Sequence, residues 1–106
     1  MVIEWLKVKV APELREKYIQ LDAEVWTAAI AQAPGYLGKE VWINPNDETE
    51  VIMIIRWASR EQWKAFPLDQ LAQLERTFDE RMGAGTYTMV EEREYHVRKF
   101  PAPKAS

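Results

Sequence analysis

The sequence predicts one α+β domain whose elements run β, α, β, β, α, β, with two helices covering one face of a four-stranded antiparallel sheet. Three observations point there. Four segments read as strands, by two-residue alternation or by a short apolar run, two longer segments step by three and four like amphipathic helices, and turn residues punctuate the junctions. At 106 residues the chain has room for a single core. A single domain over residues 1–100 is expected, followed by a polar, proline-rich tail at 101–106.

The first strand places Val2, Leu6, Val8 and Val10 on one face, with Ile3, Trp5, Lys7 and Lys9 on the other. Pro12 suits the opening turn of a helix. From there Leu14, Tyr18, Leu21, Val25, Trp26, Ala29, Ile30 and Ala33 form an apolar stripe, and charges such as Glu13, Arg15, Glu16, Lys17 and Asp22 fall largely off it. This predicts an uninterrupted helix that Pro34-Gly35 ends. Residues 36–43 and 50–57 read as strands joined by the turn cluster Asn44-Pro45-Asn46-Asp47, so they form a hairpin. Ser59 with Gln62 is a capping box for the next helix. Pro67 lacks an N–H and must break that helix early, into pieces at 60–66 and about 69–81. Leu71, Leu74, Phe78 and Met82 stripe the second piece, and Gly83 and Gly85 close it. A long last strand is expected over 86–99. With right-handed crossovers this order gives the ferredoxin-like arrangement.

Composition narrows the function classes. Net charge is −3, and the basic residues are interleaved with acids, so no electrostatic footprint for nucleic acid exists. The absence of cysteine excludes disulfides, thiolate metal sites and a cysteine nucleophile. A single histidine makes a catalytic zinc site implausible, and no spaced Asp cluster supports magnesium or calcium. No cofactor is expected. The first residues lack the apolar stretch of a secretion signal, and no run approaches the ~18 apolar residues of a membrane span. Cytoplasmic residence without membrane contact is the default expectation. The unusual feature is aromatic content: five Trp, four Tyr and three Phe, residues that suit cores, interfaces and ligand pockets alike.

The third strand carries Val51-Ile52-Met53-Ile54-Ile55, apolar at odd and even positions, the mark of burial on both faces. Helices cover only one face, so a second copy of the chain is expected on the other, touching Val41, Ile43, Val51, Met53 and Ile55. The charged second half of the last strand either pairs with that partner's edge or forms a solvated extension.

Pro34-Gly35-Tyr36-Leu37-Gly38 before strand two, and Arg56-Trp57-Ala58-Ser59-Arg60-Glu61-Gln62-Trp63 after strand three, resemble the antibiotic-biosynthesis-monooxygenase superfamily of dimeric α/β barrels. The resemblance spans most of the chain and is more specific for fold than for function. It implies a homodimer and leaves several activities open: cofactor-free quinone-forming oxygenation, haem degradation, isomerisation or an unassigned role. Haem-degrading relatives carry an Asn, a Trp and a His where this chain offers Glu4 or Trp5, Phe66 and about Arg76, so that activity is not expected. The oxygenases surround a reduced phenol with Trp, Tyr, Asn and Arg, and Trp57, Trp63, Tyr95 and Arg56 have suitable chemistry.

The candidate pocket residues are therefore Trp5, Arg56, Trp57, Trp63, Phe66, Tyr95 and His96. Each has a plainer role. His96 is the only side chain with an ordinary pKa near neutrality, yet its charged surroundings favour an exposed strand residue. Arg56 could hold a ligand oxyanion or pair with Glu40, Glu92 or Glu94. The tryptophans could stack on a flat ligand or simply fill the core. The expected function is a dimeric module binding a small hydrophobic or aromatic compound, or alternatively a cofactor-independent oxygenase acting on an aromatic quinol.

Overall fold

The computed structural model describes residues 1–100; the expected tail at 101–106 lies outside the described residues. The strands are β1 (Val2–Val10), β2 (Tyr36–Asn44), β3 (Asp47–Trp57) and β4 (Tyr87–His96). They form one sheet in the order β2-β3-β1-β4, every neighbouring pair antiparallel. The helices are α1 (Arg15–Leu21), α2 (Ala28–Ile30), α3 (Arg60–Lys64) and α4 (Leu68–Met82). This is the ferredoxin-like fold. No helix among the described residues is long and apolar enough to cross a membrane.

Local chemistry explains the junctions. Ser59 Oγ accepts the Gln62 N–H at 3.1 Å, the predicted cap of α3. Pro67, extended at ψ 131°, separates α3 from α4. Gly35 stands at φ +89°, and a Cβ there would lie 2.5 Å from Gln62 Oε1, so the turn into β2 admits the start of α3 only because the side chain is missing. The hairpin between β2 and β3 is held by Asn44 Oδ1, which accepts the Asn46 N–H at 2.8 Å.

The first helix departs from expectation. Instead of one regular helix, Pro12–Leu14 forms a 3₁₀ turn, and a wider π turn at Asp22–Thr27 joins α1 to α2. Residues four apart on a regular helix drift by roughly 40° per step. The π turn lowers the rotation per residue and offsets part of that drift. Tyr18, Asp22, Trp26 and Ile30 consequently all face the sheet side. Asp22, expected off the apolar stripe, is 3% exposed.

The core joins Val8 and Val10 of β1, Val51, Met53, Ile55 and Trp57 of β3, and Tyr18, Leu21, Phe78 and Met82 from the helices. Phe78 packs edge to face with both Tyr18 and Tyr87, and the two tyrosine rings are tilted against each other, all with centroids 5.2–5.3 Å apart. Val51, Met53 and Ile55 therefore point at the helices, which corrects their expected place on the uncovered face. Val41 and Ile43, opposite Met53 and Val51, share the helix-side phase on the sheet edge. A run apolar at every position has no phase of its own; the pairing register sets it. The uncovered face carries Ile52 and Ile54, with Trp42 and Lys7 opposite the first and Trp5 and Glu40 opposite the second. With those neighbours, the two isoleucines are only 8% and 3% exposed in the single chain.

The last strand is shorter than expected. It stops at His96 because its partner, β1, runs out at Val2, and one further bond joins the Val97 N–H to the Met1 carbonyl. Its charged second half pairs with this chain's own β1, Arg93 opposite Trp5 and Glu94 opposite Glu4, so it does not extend past its own sheet. A bulge shifts the register between Lys7 and Val8.

A candidate binding cavity between helices and sheet

A cavity of about 410 Å³ opens between the sheet and the helices. Its sheet wall is built by Glu4 and Leu6 of β1, Met53, Ile55 and Trp57 of β3, and Tyr87 and Met89 of β4. The helices add Tyr18, Asp22, Trp26 and Ile30 from one side, and Trp63, Phe66 and Leu71 from the other. Aromatic rings therefore face it from the sheet and from both helical layers.

Two polar groups lie within this lining, and the exposed Lys64, Glu75 and Glu92 also border the cavity. Trp57, 1% exposed, donates its indole N–H to Glu4 Oε1 at 3.2 Å. Burial raises the Glu4 carboxyl above its ordinary value; the Trp57 bond and the nearby Lys39 and Lys64 ammoniums oppose that shift, and Glu92 adds to it. The second group is an ion pair, Lys39 Nζ to Asp22 Oδ2 at 2.6 Å, with side chains only 5% and 4% exposed. Asp22 Oδ2 accepts no directed hydrogen bond, so that ammonium is its compensation among the described residues. The π turn brings Asp22 inward, and the phase of β2 brings Lys39, opposite Ile55, to meet it.

Two tyrosines stiffen the far side. The Tyr18 hydroxyl approaches the Met53 sulfur at 3.8 Å, and burial, with Asp22 beside it, pushes its pKa up. The Tyr87 hydroxyl donates to Asp79, and its pKa is likewise raised, first by burial and then by that carboxylate. Neither is a ready phenolate near neutrality.

Of the seven expected pocket residues, Trp57, Trp63 and Phe66 line this cavity. The other four stand elsewhere. Trp5 lies on the uncovered face beneath Arg93, whose guanidinium is 5.4 Å from the ring centre. Arg56, beside Trp57 in sequence, takes the opposite face and meets Glu40 at 3.4 Å. Tyr95 accepts from Arg93 at 2.9 Å on that same face. His96 ends β4 in solvent, 3.4 Å from Glu94. Sequence reasoning left out Asp22, named Trp26 only among the tryptophans that could stack on a ligand or fill the core, and left out Lys39. A four-residue spacing through Tyr18, Asp22, Trp26 and Ile30, with an acid inside an otherwise apolar series, was the available signal for the first two.

The class of protein defined here is a ferredoxin-like α+β domain with an aromatic cavity under its helices. Residues 1–67 match the family model for antibiotic biosynthesis monooxygenase, and the chain belongs to that family. The matched stretch includes Glu4, Asp22, Lys39, Trp57, Trp63 and Phe66 and ends before α4 and β4. Among solved structures, the chain is similar to the monooxygenase from the gene ActVA-Orf6 of Streptomyces coelicolor in complex with nanaomycin D. The two share 17% identity over 97% of this chain and 92% of that one, with a TM-score of 0.74. It is similar to SnoaB, a cofactor-independent oxygenase from Streptomyces nogalater, at 17% identity over 97% of both chains and a TM-score of 0.69. A conserved protein from Methanosarcina mazei Go1 shares the fold at 14% identity over 89% of both chains, TM-score 0.65. At these identities the likeness concerns the fold. No curated protein matches the chain.

Proposed function

We propose that the chain binds a flat aromatic compound in the cavity between helices and sheet. The observation that carries this is the placement of Trp26, Trp57 and Trp63 around a space of about 410 Å³ with Glu4 as a polar anchor. That volume falls in the roughly 300–1,000 Å³ range of small-molecule sites. Titration with a flavonol, read by quenching of tryptophan fluorescence, is the test. Saturable quenching that weakens at least about fivefold in Trp63→Leu supports the reading, since stacking on one ring is worth ~1 kcal/mol or more. No quenching by flavonols or naphthohydroquinones overturns it.

A second reading is cofactor-independent oxygenation of that compound, and the Glu4 carboxyl favours it. A carboxylate held above its ordinary pKa by burial is a better proton acceptor near neutrality. With an anthrone as substrate, Glu4 removes a proton from the activated methylene and the resulting carbanion passes electrons to dioxygen. The methylene becomes a carbonyl, one oxygen atom enters the product and the other leaves as water, so no external reductant is consumed. Of the similar structures, SnoaB is a cofactor-independent oxygenase and the ActVA-Orf6 protein a monooxygenase, which supports this reading. Oxygen uptake with 1,8-dihydroxyanthrone in the presence of a chelator tests it: Glu4→Gln lowers the catalysed rate by about 10²-fold or more. An unchanged rate removes Glu4 from the chemistry.

The functional unit we propose is a homodimer closed through the uncovered sheet face. Trp42, opposite Ile52, and Tyr95, opposite Ile3, support this, since at 49% and 45% exposed they leave large aromatic surface in solvent on that face. Sedimentation velocity at low micromolar concentration reports a species of twice the chain mass, which Trp42→Lys shifts to a monomer. A wild-type monomer contradicts the dimer.

A further inference from the structure

We propose that the cavity selects a neutral aromatic ligand bearing a hydrogen-bond donor over its carboxylated analogue, with Glu4 as the acceptor. This rests on the reading that an aromatic compound occupies the cavity. The charges lining it are unequal: Glu4, Asp22, Glu75 and Glu92 stand against Lys39 and Lys64. Asp22 and Lys39 neutralise each other across 2.6 Å. Lys64 rests its ammonium 4.0 Å from the centre of the Trp63 ring. Acid therefore exceeds base in what remains. Glu75 and Glu92 are exposed and form the rim, while Glu4 is partly buried within.

An anionic ligand meets like charge twice, at the rim and again at Glu4, where apolar walls weaken solvent screening. A hydroxyl meets the opposite situation. Glu4 takes its indole bond through Oε1, and Trp57 is its only side-chain donor among the described residues. Oε2 can thus accept a proton donor from the cavity, which a phenol supplies and an ionised carboxylate does not. The buried Asp22 cannot serve, because Lys39 already occupies it.

Calorimetric titration of the full chain at pH 7 and low salt tests this with three naphthalenes of one ring size. They are 2,6-dihydroxynaphthalene, 6-hydroxy-2-naphthoate and 2,6-dimethoxynaphthalene. The dihydroxy compound is expected to bind about tenfold more tightly than either of the others. In Glu75→Gln/Glu92→Gln, two exposed sites, the preference over the naphthoate shrinks roughly fivefold, and 1 M salt has the same effect on the wild type. In Glu4→Gln, the preference for hydroxyl over methoxy shrinks. Naphthoate binding as tight as that of the diol, or ratios unaltered in these variants, overturns the selection and leaves the cavity reading standing. Failure of all three compounds to bind overturns the cavity reading, and the selection with it.

Discussion

The buried pair Asp22–Lys39 offers the sharpest energetic test of how this cavity is built. Its atoms lie 2.6 Å apart with side chains 4% and 5% exposed, so neither charge has water to fall back on. Lys39→Met removes one partner and leaves a carboxylate sealed in the wall. Breaking a buried pair in this way costs about 3–5 kcal/mol. For a domain of this size a urea m-value of ~1.3 kcal/mol/M turns that into a midpoint shift of roughly 2–4 M. Asp22→Leu should cost a similar amount by stranding the ammonium. The double variant Asp22→Leu/Lys39→Met removes both charges and should recover most of the loss, giving a coupling energy of about 2 kcal/mol or more. Urea unfolding followed in parallel by far-UV circular dichroism and tryptophan fluorescence measures all four corners of the cycle. If Lys39→Met costs less than about 1 kcal/mol, or the two single losses simply add, the pair is not the sealed contact described here.

Two further outcomes follow from named atoms. Glu4 has a folded-state pKa raised above 4.5, so its contribution is fully present below that value and is lost as pH rises through the raised one. Glu4→Gln should therefore be at least as stable as the wild type at pH 7 and should flatten the decline between acid and neutral pH, as read from urea midpoints across that range. Gly35→Ala must place a Cβ 2.5 Å from Gln62 Oε1 at φ +89° and should lose about 1–2 kcal/mol or more. Gln62→Gly removes Oε1, Cδ and the Cβ that would lie 2.6 Å away, so against that background Gly35→Ala should keep only its backbone cost; no loss at all in thermal melts would show that φ carries none of it.

The strands, the hairpin turn, the Ser59 cap and the break at Pro67 were legible because each depends on local period or backbone chemistry. The site was only partly legible. Trp57, Trp63 and Phe66 could be singled out, whereas Arg56 could not be kept apart from Trp57, because adjacent strand residues project to opposite faces and only register says which is inside. The same ambiguity put Val51, Met53 and Ile55 on the wrong face. Lys39 and Asp22 sit on different elements and meet only after the crossover folds back, and the four-residue spacing through the π turn departs from the 3.6-residue stripe of a regular helix. The length of β4 was misjudged because pairing with β1, rather than its own residues, ends it.

The central claim, that a flat aromatic ligand sits between helices and sheet, divides the five tryptophans into two groups. Trp26, Trp57 and Trp63 face the cavity, while Trp5 and Trp42 belong to the uncovered face. A ¹H–¹⁵N spectrum resolves one indole N–H signal for each. On addition of 2,6-dihydroxynaphthalene the first three should move, Trp57 most because its N–H is bonded to Glu4, and the other two should stay. Movement confined to Trp5 and Trp42, or none at saturating ligand, would contradict the account.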